Sequence, residues 1–206
     1  MNKKVLRQQY LKIRNSLSKA EVLIKSRKII ARLIELDVYH EADIVLTYIN
    51  YGNEVRTIEL VKLIFSSQSK QVFCPKVNGD EIEFYEIRNL NELATGYKGI
   101  PEPVVSNGKQ PLKIENEEKK CLLIMPGVVF DEECGRIGYG SGYYDRFLGN
   151  VIASKASTGE FAKRSRKHFH TIALAYECQI APFVPMSEFD KKPDMIVTED
   201  RLIVIK

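Results

Sequence analysis

The chain has 206 residues, of which 44% are hydrophobic and 28% are charged, and its net charge is +4. This length suffices for one α/β domain with a full core, and the ordinary composition excludes global disorder. The mild positive charge does not indicate nucleic acid, whose binding usually needs a concentrated basic face, but it suits anionic small substrates.

Cysteine usage and hydropathy predict a soluble, cytoplasmic protein. The four cysteines form no C-x-x-C pair and have no zinc-type histidine spacing, so we expect reduced thiols; they are Cys74, Cys121, Cys134 and Cys178. The N-terminus has no apolar segment of a secretory signal, and no apolar stretch approaches the roughly 18 residues of a membrane span.

The first half of the chain predicts two helices, followed by strands that alternate with a helix. Apolar residues recur at helical spacing in the first segment, and a capping box starts the second. The first predicted helix covers residues 3–17, and the second starts at the capping box formed by Ser18 and Glu21. A third predicted helix is capped by Thr57 and runs to about residue 65. The predicted strands are residues 44–49, residues 71–76 ended by Pro75, and residues 81–87.

The second half predicts a long surface connection, a central strand and a glycine-rich loop. The connection is residues 96–120, and the compact apolar run of residues 121–125 is typical of a buried parallel strand. Later segments are predicted as a short strand at 128–130, the glycine loop at 135–142, a helix from 143, a basic surface insert at 150–170, a strand at 171–176, and a hairpin of residues 195–197 and 202–205.

Strands that alternate with helices predict an α/β fold with a largely parallel sheet. In such sheets, ligands bind at the carboxyl ends of the strands. We therefore expect the chemistry in the loops that follow residues 44–49 and 121–130.

The glycine loop predicts a phosphate-binding site. Glycines stand at 138, 140 and 142, with Gly135 just before them, and a helix begins directly afterwards. Glycine lets a ligand approach the backbone closely, and the helix N-terminus favours a phosphate. Arg136 adds a bidentate cation. The loop matches neither a P-loop nor a dinucleotide fingerprint, and the glycines alone are also compatible with a flexible turn.

Two carboxylates near this loop are candidate ligands for Mg²⁺. Asp145 lies on the first turn of the predicted helix, where it can also simply stabilise the helix dipole. Asp190 is the second candidate, although spacing does not show that the two meet. Magnesium takes one or two carboxylates together with phosphate oxygens and water.

The segment Asp131-x-x-x-Gly-Arg-Ile-Gly-x-Gly-x-Gly-Tyr-Tyr-Asp-Arg resembles the signature of the 5-formyltetrahydrofolate cyclo-ligase family, also called methenyltetrahydrofolate synthetases. Weaker matches follow in the family's order across nearly the whole chain. They are Lys3-x-x-x-Arg7, Glu54-Val-x-Thr57, Ile100-Pro-Glu-Pro, Met125-Pro-Gly-Val, and Pro185-x-x-x-x-Asp190 with Thr198-Glu199. Ser141 and Phe189 depart from the residues that are common in the family at their positions.

The resemblance implies one three-layer α/β/α domain over residues 1–206, with a fold related to sugar-phosphate isomerases and CoA-transferases. It implies the ATP-dependent conversion of 5-formyltetrahydrofolate to 5,10-methenyltetrahydrofolate, with Mg²⁺ and with ATP as co-substrate. The implied protein is a monomer that acts on free or polyglutamylated folate and has no nucleic-acid or membrane partner.

The resemblance also assigns site residues. Arg136 and Tyr143 are implied to be catalytic, and Asp145 and Asp190 to bind the metal. The implied ATP-binding residues are Lys3, Arg7, Arg136, Ile137, Gly138, Tyr139, Gly140, Ser141, Gly142, Tyr143 and Tyr144. The implied folate-binding residues are Ile49, Glu54, Tyr139, Gly140, Ser141, Gly142 and Tyr143. Helical spacing places Arg14 in one stripe with Lys3 and Arg7, as a weaker phosphate candidate.

Two alternatives remain open at this point. A sugar-phosphate isomerase on a related scaffold would bind phosphate without consuming ATP. A nucleic-acid-binding module would use the basic residues of 155–167, which have few aromatic residues for base stacking. His168 and His170 lie beside this basic stretch and are not favoured as metal ligands.

Overall fold

The structure is a computed structural model that describes residues 2–106, 108–114, 119–156 and 168–205. Within these ranges the helices are α1 (Lys3–Asn15), α2 (Lys19–Ile34), α3 (Asp37–Glu41), α4 (Ile58–Ser67) and α5 (Tyr143–Ala156). Most of the predicted surface insert, including residues 157–167, lies outside the described residues. The prediction of a surface insert is wrong for residues 150–156, because α5 continues through them.

The strands confirm the predicted alternation and add short pairs that the sequence did not reveal. They are β1 (Ile44–Thr47), β2 (Gln71–Asn78), β3 (Glu81–Ile87), β4 (Leu93–Thr95), β5 (Pro101–Pro103), β6 (Cys121–Met125), β7 (Val129–Phe130), β8 (Arg136–Ile137), β9 (Phe169–Leu174), β10 (Met195–Val197) and β11 (Leu202–Val204). Strand β5 lies in the expected surface connection and β8 in the expected glycine loop; they pair antiparallel with β4 and β7, respectively.

Seven strands of the described chain form one sheet in the order β11-β10-β9-β6-β1-β2-β3. The five strands from β10 to β2 run parallel, and β11 and β3 pair antiparallel at the two edges. The sheet is therefore largely parallel, as predicted, and the pair β10–β11 is the expected hairpin.

Helices cover both faces of this sheet. Every residue of β1 and β6 is buried, and alternate residues enter opposite cores: Val45 and Leu122 pack with α2 and α4, whereas Leu46 and Leu123 pack with Leu148 of α5. A strand alternates its side chains between two faces, so a sheet that is covered twice needs apolar residues at every position. This arrangement is the predicted three-layer α/β/α domain.

Helix boundaries follow from caps that the sequence encodes only in part. Ser18 and Glu21 form the predicted capping box, with the Glu21 amide 3.2 Å from Ser18 Oγ and the Ser18 amide 2.8 Å from Glu21 Oε2. Thr57 occupies the predicted N-cap position of α4. Its hydroxyl donates to the Tyr48 carbonyl at 2.6 Å and does not cap the helix, so the prediction is right about the position and wrong about the side-chain hydrogen bond. Helix α1 ends at Asn15, two residues before the predicted end.

Pro75 does not end β2. The strand continues to Asn78, and Pro75 pairs with Phe84 of β3. Strand β1 pairs with β2 only as far as Phe73. Beyond that point β2 has one neighbouring strand, where a residue without an N–H is tolerated.

The predicted thiols are confirmed. The four cysteines lie within the described residues and are thiols that form no disulfide; Cys74, Cys121 and Cys134 are buried, and Cys178 is partly buried. No helix in the described parts of the chain is long and apolar enough to cross a membrane.

Candidate active site

The carboxyl ends of the parallel strands gather three loops at one edge of the sheet. The β1–α4 loop carries Glu54, the glycine loop follows the β7–β8 pair, and the segment between β9 and β10 carries Asp190. Helix α1 packs on the same edge because its apolar face, with Leu6 and Tyr10, contacts Val129 and Ile137. The fold therefore brings the N-terminal helix to the glycine loop from more than 100 positions away in the sequence.

A rigid turn precedes the glycine loop. Asp131 Oδ1 accepts hydrogen bonds from the amides of Gly135 at 2.7 Å and Glu133 at 3.1 Å, and its Oδ2 accepts one from the Val184 amide at 2.7 Å. Since Asp131 is buried, these bonds are shielded from water. The turn fixes where β8 begins and hence the direction of Arg136.

The backbone of the loop lies against Arg7. Arg7 Nε donates to the Gly138 carbonyl at 2.7 Å. Gly140 has a φ of +110°, and a Cβ built on it would lie 3.6 Å from the Arg7 guanidinium carbon. Glycine is favoured at this position because residues with an L side chain rarely adopt such a φ, whereas a Cβ would only make ordinary van der Waals contact with the arginine. The structure thus brings Arg7 to the loop that the sequence predicts as a phosphate site.

Arg136, which is buried, and Asp145, which is partly buried, form an ion pair at the start of α5. Arg136 Nη2 lies 2.6 Å from Asp145 Oδ1, and Nη1 donates to the Pro126 carbonyl at 3.3 Å. The Arg136 side chain is 3% exposed, and its Nε has no hydrogen-bond partner among the described residues. A buried donor without a partner is costly. Arg136 therefore has unused capacity to bind an anion.

Lys3 and Asp190 form a second ion pair beside the first. Asp190 Oδ2 accepts hydrogen bonds from Lys3 Nζ and from the Ser187 hydroxyl. Partial burial alone would raise the pKa of Asp190, but these hydrogen bonds lower it below its usual value. The carboxylate is therefore held ionised, as a cation ligand must be.

The two candidate metal ligands are neighbours through the backbone. Asp145 Oδ1 accepts a hydrogen bond from the amide of Lys191, the residue after Asp190, at 3.0 Å. Within the described residues, Asp145 Oδ2 and Asp190 Oδ1 accept no hydrogen bond, and no cluster of three or more histidine, cysteine or acidic residues forms a metal site. Two carboxylates with one free oxygen each fit a Mg²⁺ ion whose other ligands are phosphate and water.

Glu54 contacts the glycine loop directly. The Tyr139 hydroxyl donates a short hydrogen bond to Glu54 Oε1, and the Tyr51 amide donates to Oε2 at 2.8 Å. Burial raises the pKa of the Glu54 carboxyl, while these hydrogen bonds and the charge of Arg14 oppose the rise. Burial and the Glu54 charge likewise raise the pKa of Tyr139. The hydrogen bond between Glu54 and Tyr139 links the β1–α4 loop to the glycine loop.

Further tyrosines surround this pair. The Tyr143 ring, at the start of α5, meets the Tyr97 ring edge-on with centroids 6.1 Å apart. Tyr144 points inward; its hydroxyl is buried with no hydrogen-bond partner in the described chain, and burial raises its pKa. Sequence reasoning missed Tyr97, because residues 96–120 read as a surface connection. The only signal was its place just before the Ile100-Pro-Glu-Pro motif.

Some predicted site residues lie elsewhere than we expected. The side chain of Ile49 is in the main core, and that of Ile137 packs under α1, so Ile137 can offer a ligand only its backbone. Arg14 is buried at the far end of α1 from Lys3, with its guanidinium carbon 5.5 Å from the Tyr139 ring centre. Its charge acts on the carboxylate of Glu54, and its role toward a phosphate stays a prediction. Ser141 is exposed on the loop.

A doubly covered parallel sheet with a glycine loop, paired cations and carboxylates at its carboxyl edge defines an α/β enzyme of the nucleotide-using kind. The sequence profile of the 5-formyltetrahydrofolate cyclo-ligase family matches residues 1–199. The chain belongs to this family, and it is therefore a ligase.

Individual relatives agree with this assignment. A Schizosaccharomyces pombe protein named as a probable 5-formyltetrahydrofolate cyclo-ligase is 35% identical over 87% of this chain and 86% of its own length. The mouse 5-formyltetrahydrofolate cyclo-ligase is 26% identical over 96% of this chain and 94% of its own.

Solved structures show the same fold. The 5,10-methenyltetrahydrofolate synthetase of Aquifex aeolicus superposes with a TM-score of 0.78 and 29% identity, covering 100% of this chain and 94% of that one. The synthetase of Mycoplasma pneumoniae superposes with a TM-score of 0.70 at 23% identity, covering 97% and 99%. The family match and the relatives above, together with the Aquifex aeolicus structure, decide between the ligase and the isomerase in favour of the ligase.

Proposed function

We propose that the chain converts 5-formyltetrahydrofolate to 5,10-methenyltetrahydrofolate and consumes one ATP, releasing ADP and phosphate. The observation that carries the proposal is the hydrogen bond between Tyr139 and Glu54. It joins a buried carboxylate, suited to accept pterin N–H groups, to the loop suited to a triphosphate. Both reactants can therefore meet at one point of the fold.

The chemistry requires a better leaving group on the formyl carbon. The formyl oxygen attacks the γ-phosphorus, and ADP leaves with the electrons of the broken P–O bond. N10 then attacks the activated carbon and loses its proton, and the C–O bond breaks to release phosphate. Such phosphoryl transfer depends on positioning and charge neutralisation more than on covalent catalysis by the protein.

The cations around the loop are placed to neutralise the phosphates. Arg136 is the strongest candidate, because its guanidinium is buried, fixed by Asp145 and short of one hydrogen bond. Arg7 lies on the loop backbone at Gly140, and Lys3 can exchange Asp190 for a phosphate oxygen. We propose these three residues and the loop amides as the triphosphate site.

A magnesium ion would be held by Asp145 and Asp190, and when bound it would neutralise phosphate charge. Glu54 would accept hydrogen bonds from the pterin, and the rings of Tyr139 and Tyr143 would pack against it. Tyr143 would also orient the formyl group, in agreement with its predicted catalytic role. Polyglutamylated substrates, a monomeric state, a cytoplasmic location, the absence of nucleic-acid partners and one domain over residues 1–206 remain parts of this proposal.

An absorbance assay for methenyltetrahydrofolate tests the activity. The purified chain is mixed with 5-formyltetrahydrofolate, and ATP and Mg²⁺ are supplied together or omitted singly. We expect product only when both are present, with one ADP formed per methenyltetrahydrofolate. Product without ADP, or ADP formed without the folate, would contradict the proposal.

A further inference from the structure

Arg14 is a buried cation with one guanidinium donor that has no partner among the described residues. The residue is 4% exposed, on the last turn of α1. Its Nη1 reaches the Gly127 carbonyl at a long 3.5 Å, and its Nε has no partner in the described chain. Burying a guanidinium costs several kcal/mol unless nearby groups compensate. Packing and that one weak bond do not account for an arginine here.

The compensating groups are Tyr139 and Glu54. The Arg14 guanidinium carbon lies 5.5 Å from the centre of the Tyr139 ring, within cation–π range. The hydroxyl of the same tyrosine donates to Glu54. A cation, an aromatic ring and a carboxylate therefore follow one another from α1 across the glycine loop to the β1–α4 loop.

Neutral phenols make up most of the other surroundings of Glu54. Arg14, the Tyr139 hydroxyl and the Tyr51 amide act on the carboxylate. The Glu54 charge in turn raises the pKa of Tyr48 and Tyr144, and the Tyr176 hydroxyl donates to the backbone carbonyl of Glu54 at 3.0 Å. Arg14 contributes the positive charge in this set, and that charge favours the ionised carboxylate.

We infer that Arg14 is a positioning residue for folate binding, which holds the Tyr139 ring against Glu54 and balances the Glu54 charge. The inference rests on the proposed role of Glu54 as the folate acceptor. A pterin N–H can bind a remaining lone pair of Glu54, because an ionised carboxylate has about four acceptor sites, and Arg14 favours this ionised form. Its effect is thus on the folate and not on ATP, in contrast to Lys3 and Arg7.

The test compares Arg14→Met and Arg14→Lys in the full chain. For Arg14→Met we expect the KM for 5-formyltetrahydrofolate to rise about tenfold, which corresponds to about 1.4 kcal/mol, and the KM for ATP to stay within about twofold. The acid limb of kcat/KM for the folate moves to higher pH, because the cation that favours ionised Glu54 is gone. Arg14→Lys keeps a positive charge, so its acid limb should return most of the way to the pH of the parent chain.

Arg32→Met is the matched control, since Arg32 also donates to a backbone carbonyl, that of Thr198 at 2.7 Å, and no described hydrogen bond, ion pair or ring contact joins it to Tyr139, Glu54 or the glycine loop. It should lower the melting temperature and leave both KM values and the acid limb unchanged. If Arg14→Met behaves like this control, Arg14 is structural and the inference is overturned. If Arg14→Met does not fold, Arg14→Gln, which keeps a donor for the Gly127 carbonyl, takes its place with the same expected results.

Glu54→Gln separates the inference from the proposal beneath it. If Glu54→Gln leaves the folate KM and the acid limb unchanged, the role of Glu54 fails, and the inference fails with it. If Glu54→Gln removes the limb but neither Arg14→Met nor Arg14→Gln moves it, only the inference about Arg14 fails.

Discussion

Arg136 of β8 and Asp145 of α5 are joined by an ion pair, with Nη2 and Oδ1 2.6 Å apart. The pair fixes the guanidinium at the point where the glycine loop turns into the helix. It also commits one oxygen of Asp145, and the second oxygen stays available to a cation. One contact thus orients both the side chain that we propose for phosphate binding and one of the two proposed metal ligands.

Breaking this pair should impair both stability and catalysis. Arg136→Ala is expected to lower the free energy of unfolding by about 3 kcal/mol, because it leaves a partly buried carboxylate unpaired. Turnover should fall by about 10² or more, because an interaction with the transferred phosphoryl group is lost. Urea titration and the absorbance assay measure the two effects.

A double-mutant cycle with Asp145→Ala isolates the pair. The stability losses should couple by about 1 to 3 kcal/mol, since the second substitution removes a charge that the first had already left unpaired. Additive losses, or near-normal turnover in both single variants, would contradict the assignment of this site.

Removing the charge of Glu54 should weaken folate binding selectively. Glu54→Gln is expected to raise the KM for 5-formyltetrahydrofolate by about 10- to 100-fold, the value of one or two hydrogen bonds to a charged group. The KM for ATP should change little. Glu59→Gln, an α4 glutamate whose ion pair with Lys62 is exposed, is the control and should leave both constants unchanged.

The pH dependence of stability tests the environment of Glu54. Burial raises the pKa of its carboxyl in the folded chain, so the protonated form is favoured by folding. The associated stability is fully present below the unfolded pKa and is lost as the pH rises through the folded pKa. Glu54→Gln should therefore be more stable than the parent chain at pH 7, and the difference should vanish near pH 4. A difference that does not change with pH would argue against this environment.

The carboxylate pair predicts how the enzyme depends on magnesium. Asp190→Asn removes one anionic ligand and should raise the Mg²⁺ concentration for half-maximal turnover by about tenfold or more at fixed ATP. Glu188→Gln, two residues away, should leave that concentration unchanged. If the two variants respond alike, Asp190 serves only to pair with Lys3.

Gly140 and Gly79 form a matched test of the loop. Both have positive φ, but a Cβ at Gly140 would approach Arg7, whereas one at Gly79 would meet nothing within 4 Å. Each change to alanine should cost about 1 to 2 kcal/mol of stability from the backbone alone. Only Gly140→Ala should also raise the KM for ATP, by several-fold. Equal KM values for ATP in the two variants would argue against binding of the nucleotide at the glycine loop.

The sequence determined the local structure and the chemical content of the site. Helical periodicity and the capping box of Ser18 gave α1 and the start of α2, and the all-apolar run of β6 gave the central parallel strand. These signals are local, since they depend on side chains a few positions apart. The glycine motif likewise showed a loop that leads into a helix, and its resemblance to a family supplied the chemistry.

Only the tertiary structure decided which distant residues share a pocket. Spacing grouped Arg14 with Lys3 and Arg7, but the packing of α1 on the β7–β8 pair turns Arg14 inward to Tyr139. Burial of Glu54, the pairing of Arg136 with Asp145, and the arrival of Tyr97 at the site depend on contacts between segments far apart in the chain. No local pattern carries that information, because it arises from how the sheet orders its strands.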